Sequence, residues 1–176
     1  MILTSSVLGF CFGTIQTLFL LRFFFIIAEI DFYHPLNRFI FRFFAPLRVL
    51  FLRNEDREKM TLLLLVVFLS FIKIFFKIII NKSLHFSSVL LIGLLDFFHI
   101  LIRVALYIIV ADIIFRLFSF IQPSQFGYAF SKIANVVSRP FLFLLSPKLS
   151  HLSPLVAFIS FLLIATILGQ VIETLI

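Results

Sequence analysis

PLVAFISFLLIATILGQVI, residues 154–172, holds no charged side chain in nineteen positions. A helix of about 20 apolar residues spans the roughly 30 Å hydrocarbon core of a bilayer, so this stretch reads as a membrane crossing. Three further stretches are apolar enough: 7–30, which carries Arg22 and Glu29; 61–80, whose Lys73 and Lys77 are placed to snorkel towards one end; and 89–121. The last has 33 residues, about 50 Å as one helix and too long for one simple crossing. It is therefore expected to divide, with 87–102 largely in the interface and 103–121 as the crossing. The fold class that follows is an all-α integral membrane protein of about four transmembrane helices.

Composition agrees. Of 176 residues, 62% are hydrophobic and 13% charged, with a mean hydropathy of +1.23; a soluble domain is about 45–50% apolar and about 25% charged. A chain of this size cannot hide so much apolar surface from water, so lipid is its solvent. One cysteine, Cys11, excludes an internal disulfide and a thiolate metal cluster. No Lys or Arg precedes the first apolar run and no small-x-small step follows it, so this segment is expected to be retained rather than cleaved. The 28 Phe are spread over every apolar segment, which fits codon bias better than an aromatic groove. With no Trp, Tyr and basic residues are left to set depth in the bilayer.

Between the crossings lie two similar segments, 35–53 and 125–147, each apolar on one side, basic on the other and marked by prolines. In the second, Ser131, Lys132, Asn135, Ser138 and Arg139 recur with helical spacing, with Phe130, Ile133, Ala134 and Val137 around them. Asn37, Arg38, Arg42 and Ala45 form a weaker version in the first. Such amphipathic helices lie along a membrane surface, and Arg38, Arg42, Lys132 and Arg139 would face anionic lipid. A gap-free offset of 94 places Arg22 on Arg116, Arg38 on Lys132 and Pro46 on Pro140. The chain thus reads as a tandem duplication, 1–83 and 84–176, each copy ordered crossing, basic interfacial helix, crossing.

Specific residues carry a family resemblance. Leu20-Leu21-Arg22, then Asp31-Phe32-Tyr33-His34-Pro35, Ala45-Pro46 and Arg53 follow one another in the first copy. Ser119-Phe120, Ala134-Asn135, Arg139-Pro140 and Ser153-Pro154-Leu155 do so in the second. In this order they resemble the YggT family of bacterial inner-membrane proteins over nearly the whole chain. His34 stands where the family usually has Asn, Val136 where it has Pro, and His151 where it has Asp. The family register pairs Pro46 with Val136 rather than Pro140, which leaves the repeat alignment open by about one turn. The resemblance implies a small multi-pass protein linked to stress tolerance and division in bacteria; plastid relatives are associated with assembling haem onto a b-type cytochrome.

Asp112 and Arg116 stand at i,i+4 inside the third crossing, a spacing that brings side chains together. A charge at the bilayer centre costs about 2.5–3.5 kcal/mol on insertion scales, so the pair is expected to glue helices, joined by Arg22 and Glu29, which share a face at i,i+7. Asp96, His99 and Arg103 share another face, read as the polar rim of an interfacial helix. His34, His85, His99 and His151 make no metal or haem set, and no cofactor is expected. Ser150, His151 and Ser153 read as the polar cap of the last helix, with Pro154 in its first turn.

The reading that results is a non-enzymatic scaffold or assembly factor for other membrane proteins. An ion or osmolyte channel is the alternative, suggested by Arg22, Asp112 and Arg116. Expected partners are the lipid bilayer, anionic lipid, other membrane proteins and a second copy of the chain, with no nucleic acid, because the net charge of +7 flanks membrane segments. Arg38, Arg42, Arg48, Arg53, Arg57, Lys59, Lys132, Arg139 and Lys148 fall on one side of the crossings, Lys77 and Lys82 on the other. Basic loops stay cytoplasmic, which puts both termini on the periplasmic side of a bacterial inner membrane.

Overall fold

Backbone groups in hydrocarbon have no water to bond, so a long apolar segment satisfies them internally as a helix. The computed structural model describes residues 2–31, 33–43, 55–81, 86–118, 125–142 and 152–175, and these are helical with no strand among them. The helices are α1 (Ile2–Ile27), α2 (Pro35–Phe43), α3 (Glu55–Asn81), α4 (Phe86–Phe118), α5 (Gln125–Leu142) and α6 (Ser153–Leu175). Four contain stretches long and apolar enough to cross a membrane: Gly9–Ile27, Arg57–Lys77, Val89–Phe118 and Ser153–Leu175. Phe32, Ala45, Pro46, Arg48, Arg53, Lys82, His85, Ser119, Phe120, Lys148, Ser150 and His151 lie outside the described residues.

The third apolar stretch is not divided. α4 is one helix of 33 residues, which corrects the expected interfacial segment at 87–102. It contains no proline, and its Gly93 is there for close packing rather than as a break: an added Cβ would come within 2.4 Å of the Phe71 ring on α3. α4 also packs against α1, α3, α5 and α6, burying Ile92, Asp96, Ile100, Val104, Ala105, Ile108, Ile109 and Asp112 along its length. That burial holds the helix together over more than a membrane thickness. A helix longer than the hydrocarbon layer can be accommodated by tilt or by extension past it.

The main core gathers Leu20 and Phe25 of α1, Ile40 of α2, Leu62 and Val66 of α3, Ile109 of α4, Ile133 and Ala134 of α5, and Ala157 of α6. A smaller cluster of Ile74, Val89, Ile92 and Ile172 closes the opposite end. Outside it, α3 exposes Leu64, Phe68 and Phe75, and α6 exposes Leu155, Ile159, Leu162 and Ile167. Contiguous apolar faces of this kind would drive aggregation in water; in hydrocarbon they cost nothing.

The turn from α1 to α2 explains Asp31-x-x-x-Pro35. α1 ends in paired reverse bonds, Ile30 N to Phe25 O at 3.1 Å and Glu29 N to Ile26 O at 3.1 Å, with Glu29 in the left-handed region at φ 50°. The Asp31 carboxylate then accepts from Tyr33 N at 3.0 Å. Pro35 opens α2, where its missing N–H is no loss. At α6, Ser153 is the first helical residue and Pro154 lies in the first turn.

Candidate functional site

The chain direction brings the C-terminal ends of α1 and α4, the N-terminal ends of α3 and α6, and the helices α2 and α5 to one end of the bundle. Three contacts tie that end together. Arg22 of α1 holds Glu58 of α3, its Nε and Nη2 lying 2.9 and 2.8 Å from Oε1. Lys132 of α5 donates to the Glu29 carbonyl at 2.8 Å. The His34 Nε2 is 3.0 Å from the Gln125 carbonyl, with the ring set between Phe25 and Phe126.

Arg22 is buried, and its third arm, Nη1, donates to Asn37 Oδ1 on α2. Asn37 in turn donates to the carbonyls of Asp31 and Ile30, at 3.2 and 3.4 Å. One guanidinium therefore joins α1, α2, α3 and the connecting turn. A cleft of about 280 Å³ opens beside it, lined by Arg22, Ile26, Glu29, Ile30, Asp31, Asn37 and Glu58. Glu29 does not take the role of carboxylate for Arg22 that their shared face suggested. It stands past the helix end with its side chain exposed, and Glu58 takes that role.

In the second half, Arg116 pairs with Asp112 as expected. Its Nε points at Oδ1 at 3.0 Å, with Oδ2 within 2.9 Å but without a hydrogen bond of its own. Nη2 of Arg116 reaches Ser131 Oγ on α5 at 3.3 Å. The pair is lopsided, because the Asp112 side chain is 1% exposed and that of Arg116 52%.

Of the basic residues expected on a polar face, Arg38, Arg42 and Arg139 are exposed and Lys132 is half-buried. Ser138 departs from that face: it is buried beside Ala134 and Val137, its hydroxyl donating to the Asn135 carbonyl at 3.3 Å. Tyr33, Pro35 and Pro140 are exposed, and Pro140 lies within the last turn of α5.

Two polar contacts nearer the other end were not foreseen. Lys73 does not snorkel; it pairs with Asp96 at 2.6 Å. Asp96 is accordingly buried between α3 and α4, not on the rim of an interfacial helix. Gln16 of α1 donates to Ser70 Oγ of α3 at 2.8 Å, both residues fully buried. The signal for both pairs was a polar residue inside each of two neighbouring apolar stretches, which asks for a partner. Spacing within a single stretch could not say which.

Among the described residues no group of three His, Cys, Asp or Glu could hold a metal ion. Arg22, Lys73 and Gln16 tie neighbouring helices together, and the four helices long and apolar enough to cross a membrane define a multi-pass α-helical membrane protein. No family model, curated protein or solved structure matches the chain.

Proposed function

We propose that the chain is a non-enzymatic scaffold or assembly factor for other membrane proteins of a bacterial inner membrane, built from two tandem YggT-like repeats. The observation that carries this reading is a pair of like contacts. Arg22 bonds Asn37, and Arg116 bonds Ser131, each fifteen residues further on. The offset of 94 that relates Arg22 to Arg116 also relates Asn37 to Ser131. Each copy thus fastens its basic helix to its first crossing with an arginine at the same place. With Arg38 and Arg42 exposed on α2 and Arg139 on α5, these helices are suited to lie on an anionic cytoplasmic surface, each cation contributing on the order of 1 kcal/mol. The termini are then periplasmic. A rigid bundle with two surface helices offers partners a platform, in keeping with the stress-tolerance and division roles the family resemblance implies.

The channel reading draws on oxygens of two buried carboxylates that accept no hydrogen bond, Asp96 Oδ2 and Asp112 Oδ2. Sixteen residues separate them on one helix, about 24 Å along the axis and nearly half a turn around it, so they do not form a single file. Two measurements on the purified chain separate the readings. The scaffold predicts silent planar bilayers and stoichiometric co-purification of defined membrane proteins whose assembly falters in a deletion strain. Reproducible conductance abolished by Asp112→Asn would overturn it in favour of the channel.

A further inference from the structure

A second depression, of about 400 Å³, lies between α1 and α4 in the half of the bundle away from the basic helices. One wall is Gly9, Phe10, Gly13, Thr14, Thr17 and Leu18; the other is Ile100, Arg103, Val104 and Tyr107, with Lys73 of α3 adjoining. The α1 wall is low because an added Cβ at Gly9 or Gly13 would meet nothing within 4 Å. Its hydroxyls are spent internally: Thr14 donates to the Phe10 carbonyl at 2.9 Å and Thr17 to the Gly13 carbonyl at 2.8 Å. The groove therefore presents glycine backbone, methyl groups and aliphatic side chains along its length and cations beside them.

We propose that this groove binds one anionic phospholipid of the leaflet opposite the basic helices, its phosphate on Arg103 and one acyl chain laid along Gly9, Gly13 and Thr17. Charge and depth support the headgroup position. Arg103 is exposed within a membrane-spanning segment and forms no hydrogen bond or ion pair among the described residues. Lys73 is neutralised by Asp96, so the three groups together carry one net positive charge, matched by one phosphodiester. Arg103 precedes Arg116 by thirteen residues, as Gly9 precedes Arg22. That is about 20 Å from the basic end of a hydrocarbon layer of about 30 Å. A long side chain at this depth snorkels towards the far surface, where lipid phosphates lie, and the groove runs inward from there to Leu18.

Shape and charge together favour the lipid. From Gly9 to Leu18 a helix rises about 13 Å, so the groove of about 400 Å³ has a mean section of about 30 Å² over that rise, which suits one extended hydrocarbon chain. Gly9-x-x-x-Gly13 on its own would also invite a second helix, but Arg103 beside it, with no carboxylate paired to it among the described residues, asks for an anion.

The test is native mass spectrometry of the full chain titrated with phosphatidylglycerol or phosphatidylcholine of the same acyl length. It is run in a background carrying Arg38→Gln, Arg42→Gln, Lys132→Gln and Arg139→Gln to silence the other end. One phosphatidylglycerol adduct should persist at activation energies that strip phosphatidylcholine. Arg103→Gln should weaken its retention about tenfold, the loss expected for one charged hydrogen bond, and Arg103→Lys should restore most of it. Gly13→Leu, which fills the groove, should remove the adduct while the melting temperature is held. Equal retention of the two lipids, or an adduct indifferent to both Arg103→Gln and Gly13→Leu, would overturn the proposal. So would a dimer in the parent that Gly13→Leu dissolves, which would assign the face to a second copy.

Discussion

Arg22 is a charge enclosed by α1, α2, α3 and the turn between the first two, with Glu58 as its counter-ion. With its side chain 8% exposed and that of Glu58 15%, neither can be hydrated well if the other is removed. Breaking a buried pair on one side costs about 3–5 kcal/mol, whereas replacing both members by apolar groups is often tolerated. Glu58→Leu should therefore lower the melting temperature of the detergent-solubilised protein sharply, and adding Arg22→Leu should restore much of it. Additive losses in the double variant would show that the two do not form an energetic unit. The Asp112–Arg116 pair should behave asymmetrically, because only the carboxylate is deeply buried. Arg116→Leu strands Asp112 without its cation, while Asp112→Asn leaves a guanidinium that is half exposed and still within reach of Ser131. Arg116→Leu should be the more damaging single change and Asp112→Leu with Arg116→Leu the milder; an equal loss for both singles would contradict the burial. Asp112 with Arg116 was legible in the sequence because four residues of helix fix their geometry. Arg22 with Glu58, thirty-six residues apart, was not, because helix packing decides that register and the charged run Glu55-Asp56-Arg57-Glu58-Lys59 offers several candidates.

At the level of elements, hydropathy located the four long apolar helices but misjudged α4, because its support comes from neighbouring helices. A 33-residue apolar stretch exceeds a bilayer, and local sequence offers no account of what would support the excess. The support is lateral: α4 touches four other helices, and Gly93 lets α3 approach closely enough for the Phe71 ring to occupy the space of a side chain. Gly93→Ala should cost about 1–3 kcal/mol through overpacking, even though alanine is the better helix former. Phe71→Leu in the same chain should recover part of that loss by removing the ring. Thermal unfolding of the two single variants and the double measures it, and a stabilising Gly93→Ala would mean the contact is slack. The basic helices show the complementary limit. Period alone placed Ile133, Ala134 and Val137 on the buried side of α5, but assigned Ser138 to the polar face by its chemistry. Its position, one turn after Ala134, is what buries it, and its hydroxyl satisfies itself on the Asn135 carbonyl.

For the whole molecule, the contacts Arg22–Glu58, Lys132–Glu29 and His34–Gln125 put Arg38, Arg42, Arg57, Lys59, Lys132 and Arg139 at one end, with Lys77 towards the other. The positive-inside bias acts on basic residues near the ends of crossings, so this arrangement favours a single orientation, with α2 and α5 contributing in the same sense. Cysteine accessibility reads it directly. Cys11 is exposed and is first replaced by Ser; Asn135 on α5 and Thr174 at the far end of α6, both exposed, are then changed singly to Cys. A membrane-impermeant maleimide applied to intact spheroplasts should label Thr174→Cys at once and Asn135→Cys only after permeabilisation. The reverse pattern would place the basic helices outside. It would also move the lipid groove to the cytoplasmic leaflet, because Arg103 and Arg116 are held about 20 Å apart on one unbroken helix.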